Sequence, residues 1–311
     1  MKVLFIAHNA QPAGAQLLFL QYLQWLSVNR KEIEIHVLVM KAGPLLKEFQ
    51  KTGTCYLFPS GKRVRNPLLK LSISYKQARI VKALLGEQFD LIYSNTILNT
   101  VILEKLASSP AKVITHVHEM NFWLDQMSQK EIESLKKHTD YFFTASKAVS
   151  DTLEERGIVR SDETYPVYVF TDEQKLLQGD QQLSLKQLLH LPTDALLVGA
   201  CGSEYFRKGM DWFIPIAISV LSKLAHRNVH FVWIGVSSNE EMEFDKRLSG
   251  YAERIHFISH LPGASLYFHE FSLFLMISRE DPFPIVNIEA GIHGIPIVSF
   301  EKTGGTQELL E

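Results

Sequence analysis

Short apolar, β-branched runs alternate along this chain with longer amphipathic stretches, and that alternation limits the fold more than any other feature. The runs are Val3–Ala7, Glu34–Val39, Thr54–Phe58, Leu91–Ser94, Lys112–His116, Tyr141–Ala145, Leu196–Cys201, His230–Ile234, Arg254–Ile258, Leu273–Ile277 and Pro296–Phe300. Between most of them lie segments of helical spacing, such as Gln16–Leu26, Lys147–Glu155 and Met210–Ala225. Strands that read as unbroken apolar runs are buried on both faces, so the pattern predicts α/β architecture with parallel sheets covered by helices. Local signals agree: Ser146 stands where an N-cap is needed before Lys147–Glu155, and Gly157 stands just past its end.

A chain of 311 residues is long enough for two domains at the usual size of about 150 residues each. The alternation pauses between Thr171 and Asp194, a segment rich in glutamine with no clear strand. The predicted division therefore falls in this segment, giving domains 1–175 and 176–311. Pro192-Thr193-Asp194 then launches the second strand series.

Composition narrows the function. Basic residues number 32 and acidic residues 34, a balance that argues against a dedicated nucleic-acid binder. Cys55 and Cys201 are too few for a disulfide framework or a cysteine-rich zinc site, so a reducing, cytoplasmic setting is the simplest. The apolar run after Lys2 stops at His8-Asn9, too short for a signal-peptide core. Trp212–Leu221 contains Pro215 and Ser219 and reads as a buried helix, not a membrane span. From Phe49 to Gly86 the chain carries Lys51, Lys62, Arg63, Arg65, Lys70, Lys76, Arg79 and Lys82 and no acid. This stretch, 51–82 by its charges, is either a solvated helix face with a loop or a surface for an anionic membrane or a phosphate-bearing acceptor.

Several chemistries lack their motifs. There is no G-x-x-x-x-G-K-[ST] loop, no three-glycine dinucleotide fingerprint after the first strand, no H-E-x-x-H and no G-x-S-x-G. His116 and His118 are two apart at a strand end but have no cysteine or carboxylate set at metal spacing, so no metal is expected. The informative stretch is Ser278 to Ala290. Here a strand ends at the acidic loop Glu280-Asp281, Pro282 and Pro284 pin a helix start, and Glu289 follows Asp281 at a spacing of eight. A helix N-terminus at the carboxyl end of a parallel strand suits a diphosphate, and nearby carboxylates suit sugar and ribose hydroxyls.

This stretch resembles the E-x7-E signature of retaining GT-B glycosyltransferases of the group 1, or family 4, type. Asp281 and Glu289 take the two acidic positions, with Asp in place of the first Glu and Glu280 in reserve; Phe283 aligns when Asp281 is first. Gly202 to Asp211 resembles the family's Gly-Arg pair followed by Lys-Gly. Lys208-Gly209 matches, Ser203 stands where the arginine is expected, and Arg207 is the candidate substitute. Ala13-Gly14-Ala15-Gln16 is similar to the family's Gly-Gly-Ala-Glu loop, and Thr115 to Glu119 to its histidine segment. There His118 is the better fit, and His116 reads as a packed strand residue. Phe143–Ser146 and Thr303–Glu308 also match in order, and His260 falls where the base is received.

The resemblance implies two Rossmann-like domains with parallel sheets facing across a cleft, and a second domain cut short at its C-terminus. It implies a nucleotide-sugar donor held mainly by the second domain and a glycan or lipid-linked acceptor held by the first. Transfer would retain anomeric configuration and need no cofactor or metal. His118, Lys208, Arg207 and Asp281 would be catalytic. Gly14, Ser203, Glu280, Phe283, Pro284, Ile285, Glu289 and His260 would bind the donor. Cell-envelope polysaccharide or glycolipid synthesis is the expected setting, at the cytoplasmic side and in peripheral contact with the membrane. The rival readings are a GT-B sugar-nucleotide epimerase and a catalytically degenerate nucleotide-sugar-binding partner, the latter motivated by Ser203.

Overall fold

A computed structural model describes every residue except 60–65, 172, 178–183, 204–205, 237–247, 249, 260, 262 and 311. The chain forms two units, Met1–Val169 and Phe170–Glu311. The division lies ahead of the expected one after residue 175. The difference has a packing cause: the short helix Glu173–Leu177 packs on the helix Ile285–Ile292 and on the 3-10 segment Ala264–Glu270, so it belongs with the second unit.

The first unit is built on strands β1 (Lys2–Ala7), β2 (Glu34–Val39), β3 (Thr54–Leu57), β4 (Leu91–Ser94), β5 (Lys112–Val117), β6 (Tyr141–Thr144) and β7 (Thr164–Pro166). They form one parallel sheet in the order β3-β2-β1-β4-β5-β6-β7. Alternate residues of β1 enter different cores. Val3, Phe5 and Ala7 pack with Phe19, Leu23 and Phe49, while Leu4 and Ile6 pack with Leu84, Ile92 and Ile102. Burial on both faces is the reason these strands read as unbroken apolar runs. β7 was not legible in the sequence, because Thr164-Tyr165-Pro166 is a short, partly exposed edge.

The second unit carries β8 (Leu196–Cys201), β9 (Val229–Ile234), β10 (Ile255–Ile258), β11 (Phe271–Met276) and β12 (Ile297–Ser299), parallel in the order β10-β9-β8-β11-β12. Val198, Ala200, Phe231 and Trp233 face one core; Leu197, Val232, Ile234, Phe274 and Met276 face the other. The glutamine-rich segment contributes Leu185 to the latter, from the helix Leu185–Leu188. Helix ends follow the sequence signals. Ser146 accepts from the Val149 amide, and Gly157 turns with φ +63°. In each sheet the strand order reverses beside the first strand, between β1 and β4 and between β8 and β11. Loops at the carboxyl ends of such a pair diverge and leave room for a ligand.

The buried Phe213 in the helix Met210–Lys223 packs edge-on against Phe231, Trp233 and Phe257 at 5.8, 5.2 and 5.9 Å. Phe213→Ala is expected to destabilise the second unit by about 3–5 kcal/mol, read from urea unfolding followed by tryptophan fluorescence.

Candidate active site

The second unit's candidate site lies at its strand-order reversal. β8 runs into Gly202 and Ser203, and residues 206–209 then open the helix Met210–Lys223. β11 runs into residues 277–284, which open the helix Ile285–Ile292. The two loops touch at Gly209. Its φ is +78°, and a Cβ there would sit 2.0 Å from the Ile277 carbonyl oxygen, so the matched glycine is required by both conformation and contact. Gly202 makes room in the same way, since a Cβ would lie 2.9 Å from Lys208 Cγ.

Arg279 fastens the loops together. Its guanidinium donates to both carboxylate oxygens of Asp211 at 2.6 Å and to the Phe206 carbonyl at 2.6 Å. Its Cζ lies over both rings, 3.9 Å from the centroid of Phe206 and 3.8 Å from that of Trp212. Its own amide donates to the Arg207 carbonyl at 2.8 Å. A planar, bidentate and ring-stacked contact of this kind suits arginine alone. The resulting frame brings Lys208 Nζ into an ion pair with Asp281. Arg207 donates to the Glu280 carbonyl at 3.0 Å and stands 3.9 Å from the Asp281 carboxylate. The Asp281 backbone is fixed independently: its amide donates to the Thr303 carbonyl at 2.7 Å, and its carbonyl accepts from Gly305 at 3.1 Å. Asp281 is thus a buried acid, 5% exposed, between two cations.

Pro284 caps the next helix without a side-chain hydrogen bond, and Ile285 begins it. Glu289 lies on this helix, partly buried. Burial raises its carboxyl from 4.5 to about 7, against a hydrogen bond from Ser265 that lowers it. Its charge reaches the strand end, where it adds to the effect of burial on the Cys201 thiol. Ser203 is exposed, so nothing at that position replaces the expected arginine. His260 lies outside the described residues, as do Lys62, Arg63 and Arg65 of the basic stretch.

The first unit has a polar cluster of its own after β4 and β5. His118 Nε2 meets Asn95 Oδ1 at 3.0 Å. Glu119 accepts from the His118 amide at 2.9 Å, from the Ile97 amide at 3.4 Å and from the Thr96 hydroxyl. Burial holds Glu119 up at about 7 and His118 down at about 4, so His118 is neutral at physiological pH. His116 is buried and meets the Tyr93 hydroxyl at 2.5 Å, in keeping with a packed strand histidine. Gly14 begins the helix Gly14–Asn29, and a Cβ there would meet open space, so crowding does not explain that glycine.

The structure therefore brings Lys208, Arg207, Glu280 and Asp281 into one cluster, with Phe283, Pro284, Ile285 and Glu289 on the continuation of the same loop and helix. His118 and Gly14 belong to the first unit. Sequence reasoning missed Arg279, Asp211, Thr303 and Asn95. The only signal for Asn95 was the polar run Ser94-Asn95-Thr96 at a strand end; Arg279 had none beyond its place in the acidic motif. Among the described residues no three His, Cys, Asp or Glu side chains are grouped to hold a metal ion, and no helix is long and apolar enough to cross a membrane.

Two doubly covered parallel sheets with a cationic and acidic cluster at the reversal point define a GT-B type protein. Residues 193–311 match the family described as glycosyl transferases group 1. An O-antigen biosynthesis glycosyltransferase, WclY of Escherichia coli, is 23% identical over 309 residues, 96% of this chain and 80% of that protein. The crystal structure of Anabaena Alr3699/HepE with UDP-glucose is similar at a TM-score of 0.75 and 20% identity, covering 100% of this chain and 83% of that one. WaaG, a glycosyltransferase involved in lipopolysaccharide biosynthesis, is similar at 0.69 and 13%, covering 99% and 83%. The second unit thus matches the group 1 glycosyltransferase family over most of its length, and the chain as a whole has the GT-B fold of these solved structures.

The Glu289 carboxyl keeps a proton in the folded state that the unfolded chain has lost between pH 4.5 and about 7. Stability therefore falls as pH rises through that window. Glu289→Gln is expected to flatten this fall and to raise the melting temperature relative to the native chain above pH 7, as measured by thermal unfolding across pH.

Proposed function

We propose that the protein moves a sugar from a nucleotide-sugar donor to a glycan or lipid-linked acceptor, with retention of configuration, during cell-surface polysaccharide or lipopolysaccharide assembly. The observation that carries this reading is the Lys208–Asp281 pair, with Arg207 beside it, at the strand-order reversal and next to the helix that bears Glu289. A leaving nucleoside diphosphate gains negative charge as the glycosidic bond breaks, and fixed cations stabilise that charge in the transition state. Lys208 and Arg207 are assigned this work. Arg207 takes over from the arginine that Ser203 replaces.

Asp281 is paired with Lys208. In the proposed sequence of events the diphosphate takes over Lys208. The freed Asp281 carboxylate then accepts hydrogen bonds from sugar hydroxyls, and Glu289 accepts them from the ribose. A Lys–Asp pair that gives way to Lys–phosphate keeps the ammonium neutralised throughout, which matters because an unpaired buried charge is costly. His118 is assigned a hydroxyl of a bound sugar. The relatives named for O-antigen and lipopolysaccharide biosynthesis support the cell-surface setting, and the UDP-glucose complex places UDP-sugars first among donors to test.

Calorimetry with UDP, GDP, ADP and CMP tests the reading. One nucleotide is expected to bind, Glu289→Ala to weaken it about tenfold, and Lys208→Ala to lower turnover by roughly a hundredfold or more. Binding of none of the four, or native kinetics in both variants, would overturn the site assignment. Product anomers read by NMR decide retention.

We also propose that the basic helix Pro67–Gly86 meets an anionic membrane surface at the cytoplasmic face. Leu68, Leu71 and Tyr75 are 75%, 69% and 65% exposed there, among the exposed Lys70, Lys76, Arg79 and Lys82. Apolar side chains inserted beside cations favour anionic lipid, with about 1 kcal/mol per basic residue near the surface. The chain should sediment with phosphatidylglycerol vesicles, not with phosphatidylcholine vesicles, and the double substitution Leu68→Glu with Leu71→Glu should abolish sedimentation while leaving nucleotide affinity unchanged.

A further inference from the structure

The polar cluster after β4 and β5 fixes more than the place of His118. Asn95 makes two contacts with its side-chain amide: Nδ2 donates to the Ala15 carbonyl at 3.4 Å, and Oδ1 faces His118 Nε2 at 3.0 Å. A carbonyl oxygen such as that of Ala15 only accepts, so the amide nitrogen must point to it. The atom that faces His118 is then the amide oxygen, which also only accepts. His118 Nε2 therefore carries the proton. A neutral imidazole holds one proton, so Nδ1 is left with its lone pair.

We propose that Asn95 is a positioning residue that locks His118 as the Nε2–H tautomer and so presents Nδ1 as an acceptor for a hydroxyl of a bound sugar. Nδ1 has no hydrogen-bond partner among the described residues, and the His118 side chain is partly exposed. The loops that bear the two residues are tied together by Glu119, which accepts from Ile97 and Thr96 after β4 and from the His118 amide after β5. Ala15 belongs to the helix that follows β1, so the tautomer is set at the strand-order reversal, where three loops converge. A bare ring nitrogen accepts from a neutral hydrogen-bond donor and disfavours a phosphate. The inference rests on the transfer reading for the identity of the ligand as a sugar, but the tautomer itself does not.

Long-range proton–nitrogen correlation spectra of the full chain labelled with nitrogen-15 histidine, with His118 assigned by comparison with His118→Gln, test it directly. The native chain is expected to show a protonated Nε2 and an unprotonated Nδ1 at His118. Asn95→Ala is expected to give a mixture of tautomers and to lower the transfer rate about tenfold, the worth of one hydrogen bond. Asn95→Asp keeps the oxygen and should keep the tautomer at about pH 9, where a histidine beside a carboxylate is neutral; this variant serves if Asn95→Ala does not fold. A protonated Nδ1 in the native chain, or an unchanged tautomer in Asn95→Ala, would overturn the proposal whether or not transfer occurs. The native tautomer with no transfer activity would overturn only the assignment of the ligand.

Discussion

The geometry of the second unit's candidate site depends on the seat of one guanidinium. Arg279 is held at its edge by the Asp211 carboxylate and the Phe206 carbonyl, and on its faces by the Phe206 and Trp212 rings. It thereby joins the loop after β8 to the loop after β11. That join, together with the hydrogen bonds that fix the Asp281 backbone to Thr303 and Gly305, brings Lys208 and Asp281, far apart in the chain, to one point. The arrangement keeps the charges in order: Arg279 is paired with Asp211, while Lys208 and Arg207 gather around Asp281 at the strand ends. Removing either partner of a buried ion pair costs about 3–5 kcal/mol, so the loop geometry and the charge pattern sustain each other.

Glycine is placed where backbone has to meet backbone. Gly209 lies against the Ile277 carbonyl in a left-handed conformation, and Gly202 leaves the space in which Lys208 lies across the end of β8. These contacts explain why Lys208-Gly209 is the informative pair in the sequence: the lysine supplies charge, and the glycine permits the approach that positions it. Gly14 is different, since its Cβ direction is open. The glycine of the first loop thus has no steric necessity within its own unit, and its resemblance to a glycine-rich loop carries less structural weight than the second-unit motifs.

Both units use the same topology for different ends. The order reversal in the second unit gathers cations and carboxylates suited to a diphosphate and its sugar. The reversal in the first unit gathers neutral or proton-sharing groups: Asn95, His118 and a Glu119 carboxyl held up at about 7. The contrast follows from burial. At the second site the Asp281 carboxylate is matched by cations, whereas the first site holds its polar groups by hydrogen bonds and shifts their proton affinities towards the neutral forms, as burial also does for Glu289.

Much of the fold was legible in the sequence because burial on both faces of a parallel sheet leaves an unbroken apolar run, and the runs β2, β4 and β8 were read to their ends. The helix Lys147–Glu155 was read to the residue because Ser146 and Gly157 mark its ends chemically. The short edge β7 was not legible, since an edge strand carries little apolar signal. The expected division after residue 175 cuts through the helix Glu173–Leu177, because partners in space and not composition decide which unit a linker helix joins. By itself, the sequence determined the α/β class, the acidic and Lys-Gly motifs and the surplus of charge in 51–82. Tertiary structure alone decided that Asp281 pairs with Lys208, that Arg279 clamps Asp211 and the Phe206 carbonyl, and that Asn95 faces His118. Local motifs are carried by neighbours in the chain, but these contacts join separate loops at the carboxyl ends of neighbouring strands, and only strand order and register bring such loops together.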